Sequence, residues 1–201
     1  MLDGQYSTFC SCHTLVVGPF YLGFALHLNT ALVGAVMSAG PIAAAFTGVP
    51  AGRIVDRVGA QRATMMGLVG MTVGCLALAM LPESLGIAGY VVPIVVTTSS
   101  YALFQAANNT AVMSEVSPET RGLISGMLNL SRNLGLITGA SVMGAVFAMA
   151  SGTVAFANAD PAVIAAGMRT TFAVAMALVL AAIAAAVASK SIARRGYSTG
   201  T

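Results

Sequence analysis

Read as a string of apolar and polar positions, the chain falls into long hydrophobic stretches joined by short polar breaks, without strict alternation. Clear apolar segments run near 31–51, 63–81, 87–112, 122–150 and 162–189. Another, near 9–26, is interrupted by Ser11, His13 and Thr14. A helix needs roughly 20 apolar residues to cross a bilayer, and continuous runs of this length argue against strands. The pattern predicts an all-α, integral membrane six-helix bundle. The breaks fit it. Pro82-Glu83-Ser84 ends one segment. Ser117-Pro118-Glu119 predicts a helix start, with serine as N-cap, proline in the first helical position and an acid facing the helix dipole. Asp160-Pro161 repeats the signal before the last segment.

Composition strengthens the membrane assignment. Of 201 residues, 57% are hydrophobic and 7% charged, where a soluble domain carries about 25% charged residues. Mean hydropathy is +0.88. Too few charges remain to cover a water-facing surface, so the lipid bilayer is the first expected partner. A scattered net charge of +3 is no nucleic-acid footprint. Cys10, Cys12 and Cys75 have neither the spacing of a zinc site nor that of a disulfide framework. His13 and His27 read as polar residues near helix ends. No HExxH, no Ser/His/Asp set and no metal cluster falls within the spans, so neither an enzyme nor a cofactor is expected.

The basic residues orient the bundle. Arg53, Arg57, Arg62, Arg121, Lys190, Arg194 and Arg195, seven of the nine, fall in alternate loops and the tail on one side. The other side has Arg169, and Arg132 lies within a span. The positive-inside rule makes the basic side cytoplasmic. Both termini are then cytoplasmic, in a multi-pass protein of the cell membrane, with a bacterial inner membrane expected. The expected organisation is an atypical stretch over 1–14, a six-helix bundle over 15–190 and a basic cytoplasmic tail over 191–201. Residues 1–14 are too polar for a helix entry and lack the basic region of a signal peptide. A truncated or shifted start, within or just before a helix of a longer protein, is the expectation.

The densest charge lies in AGRIVDRVGAQR, Ala51 to Arg62, which reads as a loop between two helices with glycines at both ends allowing a tight turn. Asp56 has an arginine or a neighbouring helix N-terminus as possible partners. The pattern G-x-x-x-D-R-x-G-x-x-R, met by Gly52, Asp56, Arg57, Gly59 and Arg62, resembles the cytoplasmic loop signature of the major facilitator superfamily. Ala60 and Gln61 depart from it, because basic residues are common there. The stretch FQAANNTAVMSEVSPETRGLISGMLNLSRNLGLITGASVMGAVF resembles the penultimate helix pair of the fourteen-helix drug:proton antiporter branch, and Leu15-Val-Val-Gly-Pro-Phe-Tyr-Leu the first helix of that group's C-terminal half. The resemblance implies the C-terminal half of a major facilitator fold, paired with an N-terminal bundle of the same or another chain, or with a second copy. It also implies alternating access around a midplane site, gated by the five motif residues with Asp56 at their centre. Proton-coupled efflux of small drug-like or organic molecules, amphipathic or cationic, is implied with it.

Two polar clusters are candidate cavity linings. Arg132 sits deep in its span, where an unpaired arginine is expensive. Asn129 shares a helix face with it and with Asn133, and Ser125 extends the stripe. Gln105, Asn108 and Asn109 form a similar cluster one span earlier. Each has a structural alternative, as hydrogen bonding inside the bundle. No acid sits deep in any span, so a coupling carboxylate is expected in the other half, with Glu115 a poor second choice. Gly48/Gly52, Gly70/Gly74, Gly122/Gly126 and Gly135/Gly139 are spaced for close helix packing. The competing functional reading is a non-transporting structural or regulatory membrane fragment that requires a partner bundle.

Overall fold

A computed structural model describes residues 18–19, 21–80, 85–114, 116–150, 166–181 and 183–184. Among them the fold is all helical. Following a π-turn at Tyr21–Ala25 come α1 (Thr30–Met37), α2 (Ala39–Val58), α3 (Ala60–Ala79), α4 (Gly86–Ser114) and α5 (Arg121–Ala150). A shorter apolar helix, α6 (Ala166–Ala181), follows. Four helical units are long and apolar enough to cross a membrane: Thr30–Val58, Ala60–Ala79, Gly86–Ser114 and Arg121–Met149. They match the four apolar segments expected between 31 and 150. The expected first and last spans, 9–26 and 162–189, lie partly outside the described residues, and the stretches 1–14 and 191–201 lie wholly outside them.

Local chemistry sets the breaks. Asn29 caps α1, its Oδ1 accepting from the Leu32 N–H at 2.8 Å. α1 and α2 are one continuous path with a break at Ser38. Pro41 has no N–H to offer the Met37 carbonyl, while bonds from Ser38 to Gly34 and from Ile42 to Ser38, both 3.1 Å, carry the chain through. The start of α5 differs from expectation. Ser117 does not cap a helix; it closes a turn, accepting the Thr120 N–H on its carbonyl at 3.1 Å. The Thr120 carbonyl then takes the first helical bond, from Ile124 at 3.0 Å.

α4 is the central helix. It packs against both α3 and α2, whereas α2 and α3 touch one another far less. The α3–α4 seam is made by small residues. A Cβ on Gly67 would sit 2.8 Å from the Phe104 N, and one on Gly70 or Gly74 would overlap Ser100 or Thr97. Lipid gives helices no hydrophobic reason to associate, so close backbone approach and its dispersion contacts do that work. The spacing of Gly70 and Gly74 was legible as packing, and Gly67 extends the same groove by one turn. The other glycine pairs divide. Gly135 and Gly139 are buried, but Gly48, Gly52, Gly122 and Gly126 face open space within the chain. Cys75, buried in α3, is disulfide-bonded.

α6 contributes Met168, Phe172, Ala175 and Val179 to the interior, one helical stripe. α5 is buried at every fourth residue in its second half, through Gly135, Gly139, Met143 and Phe147, but at none from Arg121 to Leu134. Large apolar side chains face outward on every span, among them Phe46, Val49, Val69, Val73, Leu123 and Ile137. An apolar exterior of this extent suits a bilayer and not water.

Candidate functional site

The charged motif is not a loop. Gly52 to Val58 form the last two turns of α2, Ala60 to Arg62 form the first turn of α3, and Gly59 alone breaks the helix. Its φ of 85° and ψ of 149° belong to a region that essentially only glycine occupies. Gly59 still serves both helices, donating to the Val55 carbonyl at 2.9 Å and accepting from the Ala63 N–H at 3.1 Å. The turn needs Gly59, whereas Gly52 is an ordinary helical residue. The reason is an apolar underside. Ala51 and Val55 continue the buried stripe of α2. Val55, Ala63 and Ala107 then form a small core with Val58, Ala60, Leu103 and Ala106 packed on it. That core holds the hinge on the C-terminal end of α4.

The charges point the other way. Arg53, Asp56, Arg57 and Arg62 are all exposed. Arg53 and Arg57, one turn apart near the end of α2, suit the negative pole of its dipole. Asp56 does not, since a carboxylate at a helix C-terminus meets unfavourable charge. The Asp56 carboxylate makes no ion pair or hydrogen bond among the described residues. Arg121, opening α5, is also exposed. Arg169 lies on α6 beside Met168, in the cluster of Tyr90 and Phe147 at the far end of the spans. Apart from Arg132, the described arginines therefore separate between the two ends of the helices.

The second candidate region lies within the spans. Arg132 is half-buried, and its Nη2 donates to the Oδ1 of Asn129 at 2.8 Å. At 3.6 residues per turn, Arg132 lines up with the buried seam of Gly135, Gly139, Met143 and Phe147. The outward stripe of Leu123, Met127, Leu130, Leu134 and Ile137 lies on the opposite side of α5. Arg132 thus faces the bundle side of its helix. Asn133 and Ser125 are exposed, and neither is bonded to Arg132. On α4, Gln105 and Asn108 are half-buried and Asn109 is exposed. They occupy the side turned away from Leu103, Ala106 and Ala107, the residues packed beneath the hinge. None of their three side chains is hydrogen-bonded among the described residues, to one another or to α5. One polar contact was not anticipated. Thr47 Oγ1 and Ser99 Oγ lie 3.1 Å apart and join α2 to α4. Nothing in either local sequence pairs residues 52 positions apart.

A family model described as the Major Facilitator Superfamily matches residues 5–140. The chain belongs to the Major Facilitator Superfamily. Among curated relatives, it is 31% identical over 137 residues to "Uncharacterized transporter YebQ" of Escherichia coli (strain K12), covering 68% of this chain and 30% of the relative. It is 25% identical over 130 residues to "Riboflavin transporter RibZ" of Clostridioides difficile (strain 630), covering 65% of this chain and 28% of the relative. The chain thus matches less than a third of the length of either relative. Within the superfamily, the resemblance carried by Gly52, Asp56, Arg57, Gly59 and Arg62 now has a structural form: a single-glycine hinge between two membrane-spanning helices, apolar below and charged above.

Proposed function

We propose that this multi-pass membrane chain is part of a transporter that works by alternating access, and not an enzyme. Superfamily membership supports transport. The observation that carries the gating role is the placement of Asp56. It sits against the dipole of its own helix, exposed and without an ionic partner among the described residues. A contact from a second bundle would supply the missing positive charge in one conformation and release it in the other. That bundle belongs to the same chain extended, to another chain, or to a second copy. The unburied first half of α5 gives it a surface to meet.

The finer reading is efflux of small drug-like or organic molecules across a bacterial inner membrane, coupled to protons, as in multidrug antiporters. In this reading the arginine-rich Gly59 end and both termini are cytoplasmic. The coupling carboxylate belongs to the partner bundle, because no acid lies deep in the spans of this chain. The test is transport in everted membrane vesicles by the full-length protein bearing this sequence. Asp56→Asn should reduce the rate several-fold with the amount of inserted protein unchanged. An unaltered rate would remove the gating role, and no transport by the unmodified protein would remove the reading as a whole.

A further inference from the structure

We propose that Arg132, held by Asn129 on the bundle-facing side of α5, is the binding point for an anionic group of the transported molecule, so that this half of the site selects organic anions. The inference rests on the transport reading and narrows its substrate class.

A guanidinium carries five N–H donors, and among the described residues Arg132 uses one side-chain bond, from Nη2 to Asn129 Oδ1. Arg132 lies eleven residues into α5, about 16 Å along at 1.5 Å per residue. A charge at such depth is costly unless it is hydrated or paired. A single neutral amide orients the guanidinium but does not neutralise it. The chain also offers little that could. Of its six acidic residues, Asp56 and Glu119 lie at the hinge end, in the last turn of α2 and the turn before α5. Asp3, Glu83, Glu115 and Asp160 fall outside the central part of every apolar segment in the sequence.

Gln105 on α4 is nine residues from Ser114, about 14 Å in and so at a similar depth. With Asn108 and Asn109 it adds amides on the free side of α4, and no charge. A fixed cation with neutral hydrogen-bonding neighbours complements a carboxylate or another compact anion, which an arginine grips through two parallel bonds. The same surface repels an organic cation, for which these spans supply no counter-charge. The expected cargo therefore departs from the amphipathic or cationic molecules that the branch resemblance implies.

The experiment uses the full-length protein bearing this sequence in proteoliposomes, with two dyes on one xanthene ring system. Fluorescein carries a carboxylate; tetramethylrosamine is a cation without one. Fluorescein should be moved and tetramethylrosamine not. Arg132→Gln should cut fluorescein transport at low dye concentration by roughly ten- to hundredfold, the loss expected for hydrogen bonds to a charged group. Arg132→Lys, which keeps the charge but not the two-pronged grip, should fall between them. Should Arg132→Gln fail to insert, Arg132→Lys carries the test, because it must weaken fluorescein transport without admitting tetramethylrosamine. Transport of tetramethylrosamine but not fluorescein, or fluorescein transport unaffected by both substitutions, would overturn the assignment and leave transport standing. Movement of neither dye by the unmodified protein would overturn the transport reading and this inference with it.

Discussion

The Nη2 of Arg132 lies 2.8 Å from the Oδ1 of Asn129, one turn earlier on α5. The bond fixes the guanidinium on the side of the helix that continues into the Gly135–Phe147 seam. Asn129 is therefore a positioning residue, and changing its charge separates two roles for Arg132. Asn129→Asp makes an ion pair, which stabilises the helix if the pair is structural. If Arg132 binds substrate, the new carboxylate occupies it. Asn129→Asp should then lower transport of an anionic dye about as far as Arg132→Gln does, with undiminished thermal stability in detergent. Retained anion transport in a stabilised variant would place Arg132 among the structural residues.

The α3–α4 seam leaves no space at Gly67. An added Cβ meets Phe104 N and Cβ at 2.8 Å and Cα at 2.9 Å. Backbone atoms do not swing aside as a flexible side chain does. Gly67→Ala should cost about 1–3 kcal/mol, the usual penalty of overpacking. Gly48→Ala is the control, since nothing lies within 4 Å of its Cβ. It should shift stability by under about 1 kcal/mol, on the stabilising side, because alanine is the better helix former. Thermal unfolding of the two variants, followed by size-exclusion in detergent, compares them directly.

Gly59 is sensitive for a different reason. No atom crowds it, but its φ of 85° with ψ of 149° is closed to residues with a Cβ. Gly59→Ala should destabilise the α2–α3 junction by about 1–3 kcal/mol. Gly52→Ala, also uncrowded but helical, should be near neutral. Equal behaviour of the two would mean that the hinge is not where the helix breaks.

The Thr47–Ser99 contact at 3.1 Å is the clearest side-chain bond between α2 and α4. Interhelical bonds of this kind contribute about 0.6 kcal/mol on average. A double-mutant cycle with Thr47→Val and Ser99→Ala should return a coupling of about that size. A coupling of zero would mean that each hydroxyl is satisfied within its own helix, as Thr47 already is through its bond to the Ala43 carbonyl.

Much of the fold was legible because long apolar runs and the arginine distribution are coarse signals that membrane physics makes nearly obligatory. At Ala51–Arg62, charge and two glycines suggested a loop, yet Ala51, Val55 and Val58 keep helical spacing through the motif, and that apolar stripe decided the outcome. At the start of α5, Ser117 had the composition of a cap, but the bond between Thr120 and the Ser117 carbonyl spent it on a turn. The Asn129–Arg132 pair was legible because both partners lie on one helix at a favourable spacing. Gly67 was missed because its significance depends on Phe104, on another helix. Thr47 and Ser99 were missed likewise, since tertiary pairing leaves no local trace.

Alternating access through this bundle requires that the polar sides of α4 and α5 line an aqueous pathway while the apolar stripe of α5 faces lipid. It is tested most directly by thiol labelling in membrane vesicles, with single cysteines placed in the full-length protein after its native cysteines are replaced. Asn109→Cys and Asn129→Cys should react with a membrane-impermeant maleimide, and a transported dye should change their rates. Leu134→Cys, about 140° round α5 from Asn129, should stay unreactive. Labelling of Leu134→Cys with protection of the two asparagine positions would contradict this arrangement.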